Sequence, residues 1–123
     1  MAKPTVLIVE DSPDISQPIA DALRFADFKT LQAYNAVQGL QFASEHRPDL
    51  ILMDMQLPRV DGYEATRRIK ADDRLRSVPL VAITAHSMKR DEDRAHEAGC
   101  DRFISKPVEA DGLLALVREL VGG

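Results

Sequence analysis

Thr5-Val6-Leu7-Ile8-Val9-Glu10-Asp11-Ser12-Pro13 decides the fold: a five-residue, mostly apolar and β-branched run meets two carboxylates and then a Ser-Pro pair. So short and continuous an apolar run suits a strand buried on both faces of a parallel sheet. Ser at an N-cap with Pro at the first helical position then opens a helix. Strand, polar turn and helix make half of a βα unit, and the same grammar recurs outward from it. Runs at Phe28–Ala33, Leu50–Met53, Leu80–Ile83 and Arg102–Ile104 each end at a turn or cap residue. Five strands are therefore expected, with the mixed second and fifth at the edges of the sheet. Between them Ile15, Ile19, Ala22 and Leu23 form a helical stripe, Val37, Leu40 and Ala43 form another behind Asn35, and Leu113, Leu116, Val117 and Leu120 form the clearest. The pattern is (βα)5, an α/β doubly wound parallel sheet with right-handed crossovers. Ligands of such sheets bind at the carboxyl ends of the strands, where strand order reverses.

The chain has 123 residues, which fits one domain spanning 1–123. Hydrophobic residues at 45% and charged residues at 29% supply a packed interior and exclude a disordered chain. Sixteen Lys and Arg against twenty Asp and Glu leave a formal charge of −4. No concentrated positive face is evident, so direct nucleic-acid binding is not expected, and a cation or a basic partner surface fits better. The lone Cys100 gives neither an internal disulfide nor a cysteine zinc site. Glu10 and Asp11 cut the first apolar run too short for a signal sequence or a membrane span, so the cytoplasm is expected, with no membrane contact. Arg67, Arg68, Lys70, Arg74 and Arg76, interrupted by Asp72 and Asp73, are expected to be a solvated helix face.

The residues just beyond the strands are Glu10 and Asp11 after the first, Asp54 after the third, Thr84 after the fourth and Lys106 after the fifth. With strand order 2-1-3-4-5, the first and third strands adjoin at the switch point, and Asp11 and Asp54 come within a few ångströms of each other. Such carboxylates repel in a partly desolvated cleft, and an oxygen-only site of this kind suits Mg2+, with Mn2+ as the alternative. A metal, an ammonium and a hydroxyl that can all touch phosphoryl oxygens make a phosphoryl-transfer layout. No Cys or His follows a strand directly and a carboxylate can carry a phosphoryl group as an acyl phosphate, so Asp54 on the central strand is the expected nucleophile.

In these residues the whole chain resembles the receiver domain of two-component response regulators, a flavodoxin-like fold. Val6-Leu7-Ile8-Val9-Glu10-Asp11 is similar to the family's acidic pair, and Leu52 through Gly62 to its phospho-acceptor loop. Ile83-Thr84-Ala85 is similar to its switch threonine, and Ser105-Lys106-Pro107 to its lysine. The resemblance implies that Asp54 accepts a phosphoryl group from a phosphohistidine of a histidine kinase or phosphotransfer protein. It implies Mg2+ held by Asp11, Asp54, the backbone carbonyl of Gln56 and, through water, Glu10. Thr84 would turn toward the phosphoryl group, Lys106 would pair with it, and Phe103 would be the aromatic switch residue. Met55, Ala85 and His86 would flank the pocket, His86 as an exposed loop residue rather than a base. A cis Lys106-Pro107 bond is also implied, against the ordinary trans turn.

Within the family, Ala85 to Glu92 and Gly99-Cys100 resemble single-domain regulators of the cell-division type and the receivers of hybrid kinases. Met1, so near the first strand, favours a stand-alone regulator over a receiver cut from a hybrid kinase. A haloacid-dehalogenase-type phosphatase would want an Asp where Gln56 stands. A flavodoxin-type nucleotide module would want a glycine- and hydroxyl-rich loop where Glu10 and Asp11 stand. A scaffold that had lost phosphorylation would not need Asp54, Thr84 and Lys106. The protein is therefore expected to signal rather than to turn over a substrate, catalysing only its own phosphorylation and dephosphorylation. A downstream protein target would dock on the face formed by Met88 to Ile104 and the last helix, and the chain is expected to be a monomer or weak dimer. The helix after Met88 carries few apolar residues and is expected to be loosely held.

Overall fold

The computed structural model describes residues 3–85 and 88–121. Strands β1 (Thr5–Val9), β2 (Lys29–Ala33), β3 (Leu50–Asp54), β4 (Leu80–Thr84) and β5 (Arg102–Ser105) alternate with helices α1 (Pro13–Phe25), α2 (Ala36–His46), α3 (Gly62–Ala71), α4 (Lys89–Ala98) and α5 (Ala110–Val121). All neighbouring strands are parallel, in the order β2-β1-β3-β4-β5. Side chains alternate between two core layers, as a pleated sheet requires. Leu7, Val9, Ile51, Met53, Leu80 and Ala82 pack under α2, α3 and α4. Val6, Ile8, Leu50, Leu52, Val81 and Ile83 pack under α1 and α5. Burial on both faces is why β1, β3 and β4 read as unbroken apolar runs.

Strands β3, β4 and β5 each run one residue further than the apolar pattern indicates. Asp54 pairs in register with Ile83, and Thr84 with Ser105, because the backbone ladder continues regardless of side-chain polarity. Strand β2 begins one residue later, since the Phe28 N–H is already committed to the Leu23 carbonyl at the end of α1.

Two helix expectations are corrected. Ser12 occupies the N-cap of α1 with extended backbone, but its side chain makes no cap bond. Its N–H instead donates to Glu10 Oε2 at 3.2 Å. Val37 is 64% exposed, since α2 turns Ala36, Gly39 and Ala43 inward, small residues that let the helix lie close to β1. Asn35 does cap α2, accepting from the Gln38 N–H at 2.7 Å.

The basic cluster is only partly a solvated face. Arg67 and Arg68 pair with Glu64 at the surface. Lys70 folds inward, donating to the carbonyls of Arg76 at 3.1 Å and Val78 at 2.8 Å and to Asp101 Oδ2 at 3.0 Å. One ammonium thus ties α3, the α3–β4 loop and the α4–β5 loop together, and a Cβ on Gly99 would come within 2.8 Å of the Lys70 Cγ. Gly99 also has φ +108°, a left-handed helix end that glycine adopts without strain.

Helix α4 buries only Ala95 and Ala98, as its composition indicates, and Met88 is exposed. Its lateral tether is Arg94, which lies 3.9 Å from the ring centre of Tyr63 on α3 and 3.8 Å from Asp61 Oδ2. No helix among the described residues is long and apolar enough to cross a membrane.

Candidate functional site

Parallel order and register bring the carboxyl ends of β1, β3 and β4 to one edge. Glu10 follows β1 and is held where its N–H donates to the Ala33 carbonyl. Asp54 closes β3 between β1 and β4, and Thr84 closes β4. Glu10, Asp54 and Thr84 are all buried, whereas Asp11 faces solvent. One carboxylate oxygen from each of Glu10, Asp11 and Asp54 lies within 4.8 Å of the others.

Lys106 enters from the β5–α5 loop. Its backbone N–H donates to the Thr84 carbonyl at 2.7 Å, and the Lys106-Pro107 bond is cis, as the family resemblance implies. The ammonium stands 2.9 Å from Glu10 Oε1 and 3.4 Å from Asp54 Oδ1. Burial by itself would lower the Lys106 pKa, but its pairing with Glu10 and Asp54 outweighs burial and raises it above the ordinary lysine value. The opposite problem falls on Asp11, whose pKa is raised by its hydrogen bond with Glu10, by partial burial and by the Glu10 charge.

Lys106 thus changes where the acidic repulsion resides. Expected to fall on all three carboxylates, it is relieved at Glu10 and Asp54 and concentrated on Asp11. Asp11→Asn is accordingly the variant expected to gain stability in chelator, by about 0.5 kcal/mol, the scale of a partly exposed charge pair. Asp54→Asn would weaken a partner of Lys106 and should not share that gain. The pH dependence follows from the sign of the Asp11 shift. Just above pH 3.8 the folded chain keeps a proton that the unfolded chain has released, so native stability falls as pH rises through this window. The variant lacks that loss, so its advantage should vanish below this window. Mg2+ at ten times its dissociation constant should add about 1.4 kcal/mol to the native protein and less to Asp11→Asn. Thermal melts of both proteins in EDTA and Mg2+ check this, and equal Mg2+ increments would contradict it.

The donor set fits a hard divalent cation. It is all oxygen, it carries more negative charge than Lys106 balances, and among the described residues the buried Glu10 Oε1 has no partner beyond the Lys106 ammonium.

Gln56 contributes more than the backbone carbonyl expected of it. Its N–H donates to Asp54 Oδ1 at 3.0 Å, Nε2 donates to Thr84 Oγ1 at 2.6 Å, and Oε1 accepts from the Ala85 N–H at 3.1 Å. Nothing in the sequence marks this bridge, because it depends on β4 ending beside the loop after β3. Gly62 was likewise only part of a motif, but its Cα lies against the backbone of Asp54 and Met55. Met55 is buried, and Phe103 is half-buried on the core layer under α2, α3 and α4, sharing that face with Thr84 by strand alternation. His86 lies outside the described residues. Beside the site a groove of about 490 Å3 runs between α1 and α5, lined by Ile15, Pro18, Ile19, Val108 and Leu113, with Lys106 at its margin.

Fold and pocket together define a class, the flavodoxin-like α/β modules with an acidic, metal-competent site at the switch point. A family model for the response regulator receiver domain matches residues 6–118, and the chain belongs to that family. It is 41% identical over 118 residues to the polar-differentiation response regulator DivK of Brucella anthropi, covering 96% of both chains. Among solved structures it resembles the receiver domain of a signal transduction histidine kinase from Syntrophus aciditrophicus, with 36% identity, a TM-score of 0.90 and coverage of 98% of this chain and 91% of that one. It also resembles the receiver domain of a sensor histidine kinase from Pseudomonas aeruginosa PAO1, with 33% identity, a TM-score of 0.91 and coverage of 99% and 100%. That domain has a magnesium ion coordinated in its active-site cleft. The chain is therefore a signalling module of two-component systems.

Proposed function

We propose that this chain, residues 1–123, acts as a stand-alone response regulator that takes a phosphoryl group onto Asp54 from a phosphohistidine. The observation that carries this is the buried Asp54 carboxylate, held at Oδ1 by the Gln56 N–H and the Lys106 ammonium, at the centre of the acidic cluster. Asp11, Asp54 and the Gln56 carbonyl would hold Mg2+, with Glu10 acting through water. When bound, the ion supplies positive charge that offsets the repulsion between the carboxylates and an incoming phosphate. The chain's own residues do the rest. An Asp54 carboxylate oxygen attacks phosphorus, the donor's N–P bond breaks, and its electron pair returns to the imidazole nitrogen. Lys106 balances the charge on the phosphoryl oxygens, and Thr84 donates to one of them. The protein turns over only its own acyl phosphate.

The apolar groove between α1 and α5 meets the site at Lys106, so a donor helix seated there would place its histidine beside Asp54. A cytoplasmic setting and a monomer or weak dimer suit this role. A phosphotransfer profile against purified histidine kinases and phosphotransfer proteins tests the proposal. Transfer from at least one supports it, and transfer from none, with no labelling by small phosphoryl donors, overturns it. Rapid transfer only from a kinase fused to a homologous receiver would favour an origin within a hybrid kinase.

Output is expected to run through α4 and β5. Drawing Thr84 toward a phosphoryl group vacates space on the face that Phe103 shares, and α4, held by little apolar burial, is poised to respond. Beryllofluoride with Mg2+ should therefore change amide exchange across Met88 to Ile104 in the native protein but not in Thr84→Ala. Changes confined to the loop after β3 would rule this route out.

A further inference from the structure

The Gln56 side chain makes a polar bridge at the site that the phosphoryl-transfer scheme leaves unused. Its orientation is set by Ala85: a backbone N–H can only donate, so the carboxamide must present Oε1 to it and turn Nε2 toward Thr84. Nε2 then donates to Thr84 Oγ1 across 2.6 Å, occupying an acceptor position of the hydroxyl and fixing where that oxygen sits. The same residue's backbone N–H holds Asp54 Oδ1. Residue 56 thus grips the nucleophile with its backbone and the switch hydroxyl with its side chain, and the carboxamide lies between the ends of β3 and β4.

We infer that Gln56 is a positioning residue, a latch whose carboxamide keeps Thr84 and the Ala85 N–H in their resting places and must release Thr84 when Asp54 is phosphorylated. The inference rests on the function proposed above. Thr84 cannot move toward a phosphoryl group on Asp54 while its oxygen stays 2.6 Å from a side chain anchored at Ala85. Resting and switched states therefore compete for one hydroxyl, and the Gln56 bridge adds its strength to the resting side of that balance.

Gln56→Met tests the latch, since it keeps the length of the side chain and removes both hydrogen bonds while leaving the backbone groups of residue 56 in place. Gln56→Ala is the second variant should the thioether repack. The readout is the affinity for beryllofluoride at saturating Mg2+, followed by amide exchange, with Thr84→Val as the background for a double-mutant cycle. The latch requires both Gln56 variants to bind beryllofluoride about five- to tenfold more tightly than native, the scale of one neutral hydrogen bond that no longer has to be broken. In the Thr84→Val background the same substitutions should change affinity by less than about twofold. A merely structural role for Gln56 would leave the two backgrounds alike. Unchanged or weaker binding by the Gln56 variants, with native protein binding normally, overturns the latch alone. No binding by native protein overturns the proposed function and the latch with it.

Discussion

Asp54→Asn is expected to reduce phosphoryl uptake at least about a thousandfold, to background, because it removes the nucleophile and leaves the pocket standing. Asparagine keeps the shape of the side chain and an oxygen that can still accept the Gln56 N–H. What it lacks is the anionic oxygen that attacks phosphorus. The other two carboxylates are poor substitutes. Glu10 is engaged by the Ser12 N–H and by Lys106, and Asp11 faces solvent with no ion pair among the described residues. Incubation of native protein with phosphoramidate and Mg2+ should add one acid-stable, base-labile phosphoryl group, read by intact mass. The variant should gain none, and neither should native protein in EDTA. Equal labelling of the variant would move the acceptor to another residue.

Gly62→Ala should have the largest effect on stability of any single-methyl change at the site. Gly62 opens α3, and its N–H donates to the Met55 carbonyl at 3.3 Å. A Cβ built there would collide with the Asp54 carbonyl oxygen and would stand 2.6 Å from the Met55 Cα and 2.8 Å from the Asp54 carbonyl carbon. All three are backbone atoms next to the nucleophile, so no side-chain rotation relieves the clash, and either α3 or the end of β3 must shift. The cost is expected to be about 3 kcal/mol, the upper range for an overpacked site, which lowers Tm by about 10 °C. Phosphoryl uptake should fall as well, since the shift displaces Asp54. Gly112→Ala is the contrasting control. Nothing lies within 4 Å of its added Cβ, so within α5 it should stabilise the protein by about 0.5–1 kcal/mol. A Gly62→Ala melt within a degree or two of native would refute the expected clash.

The parts of this protein legible in its sequence are those governed by local rules. A strand covered on both faces must be apolar at every position, so β1, β3 and β4 announce themselves, and the half-covered edges β2 and β5 read as mixed. Parallel alternation sends every strand's carboxyl end to one edge, so the strand pattern alone gathers Glu10, Asp11, Asp54, Thr84 and Lys106 there. Helix stripes were less decisive. In α2, Val37 fits the helical spacing as well as its buried neighbours do, and only the close approach of Gly39 to Val9 turns it outward.

Tertiary structure alone decided how the gathered groups are wired. Lys106 could equally have been a solvated turn residue, and its ion pairs with Glu10 and Asp54 determine which carboxylate bears the residual repulsion. Lys70 stood within a basic run and became a staple because three acceptors from two loops surround its ammonium. Gln56 was one polar loop residue among several until β4 set Thr84 and Ala85 opposite its carboxamide, and Gly62 was a motif letter until α3 pressed it onto Asp54. Periodicity and polarity act over a few residues, and they set the elements, their order and the chemistry at the strand ends. Which polar group meets which was left to the packed fold, because that depends on what a distant segment places within about 3 Å, a distance over which hydrogen bonds and ion pairs form or fail.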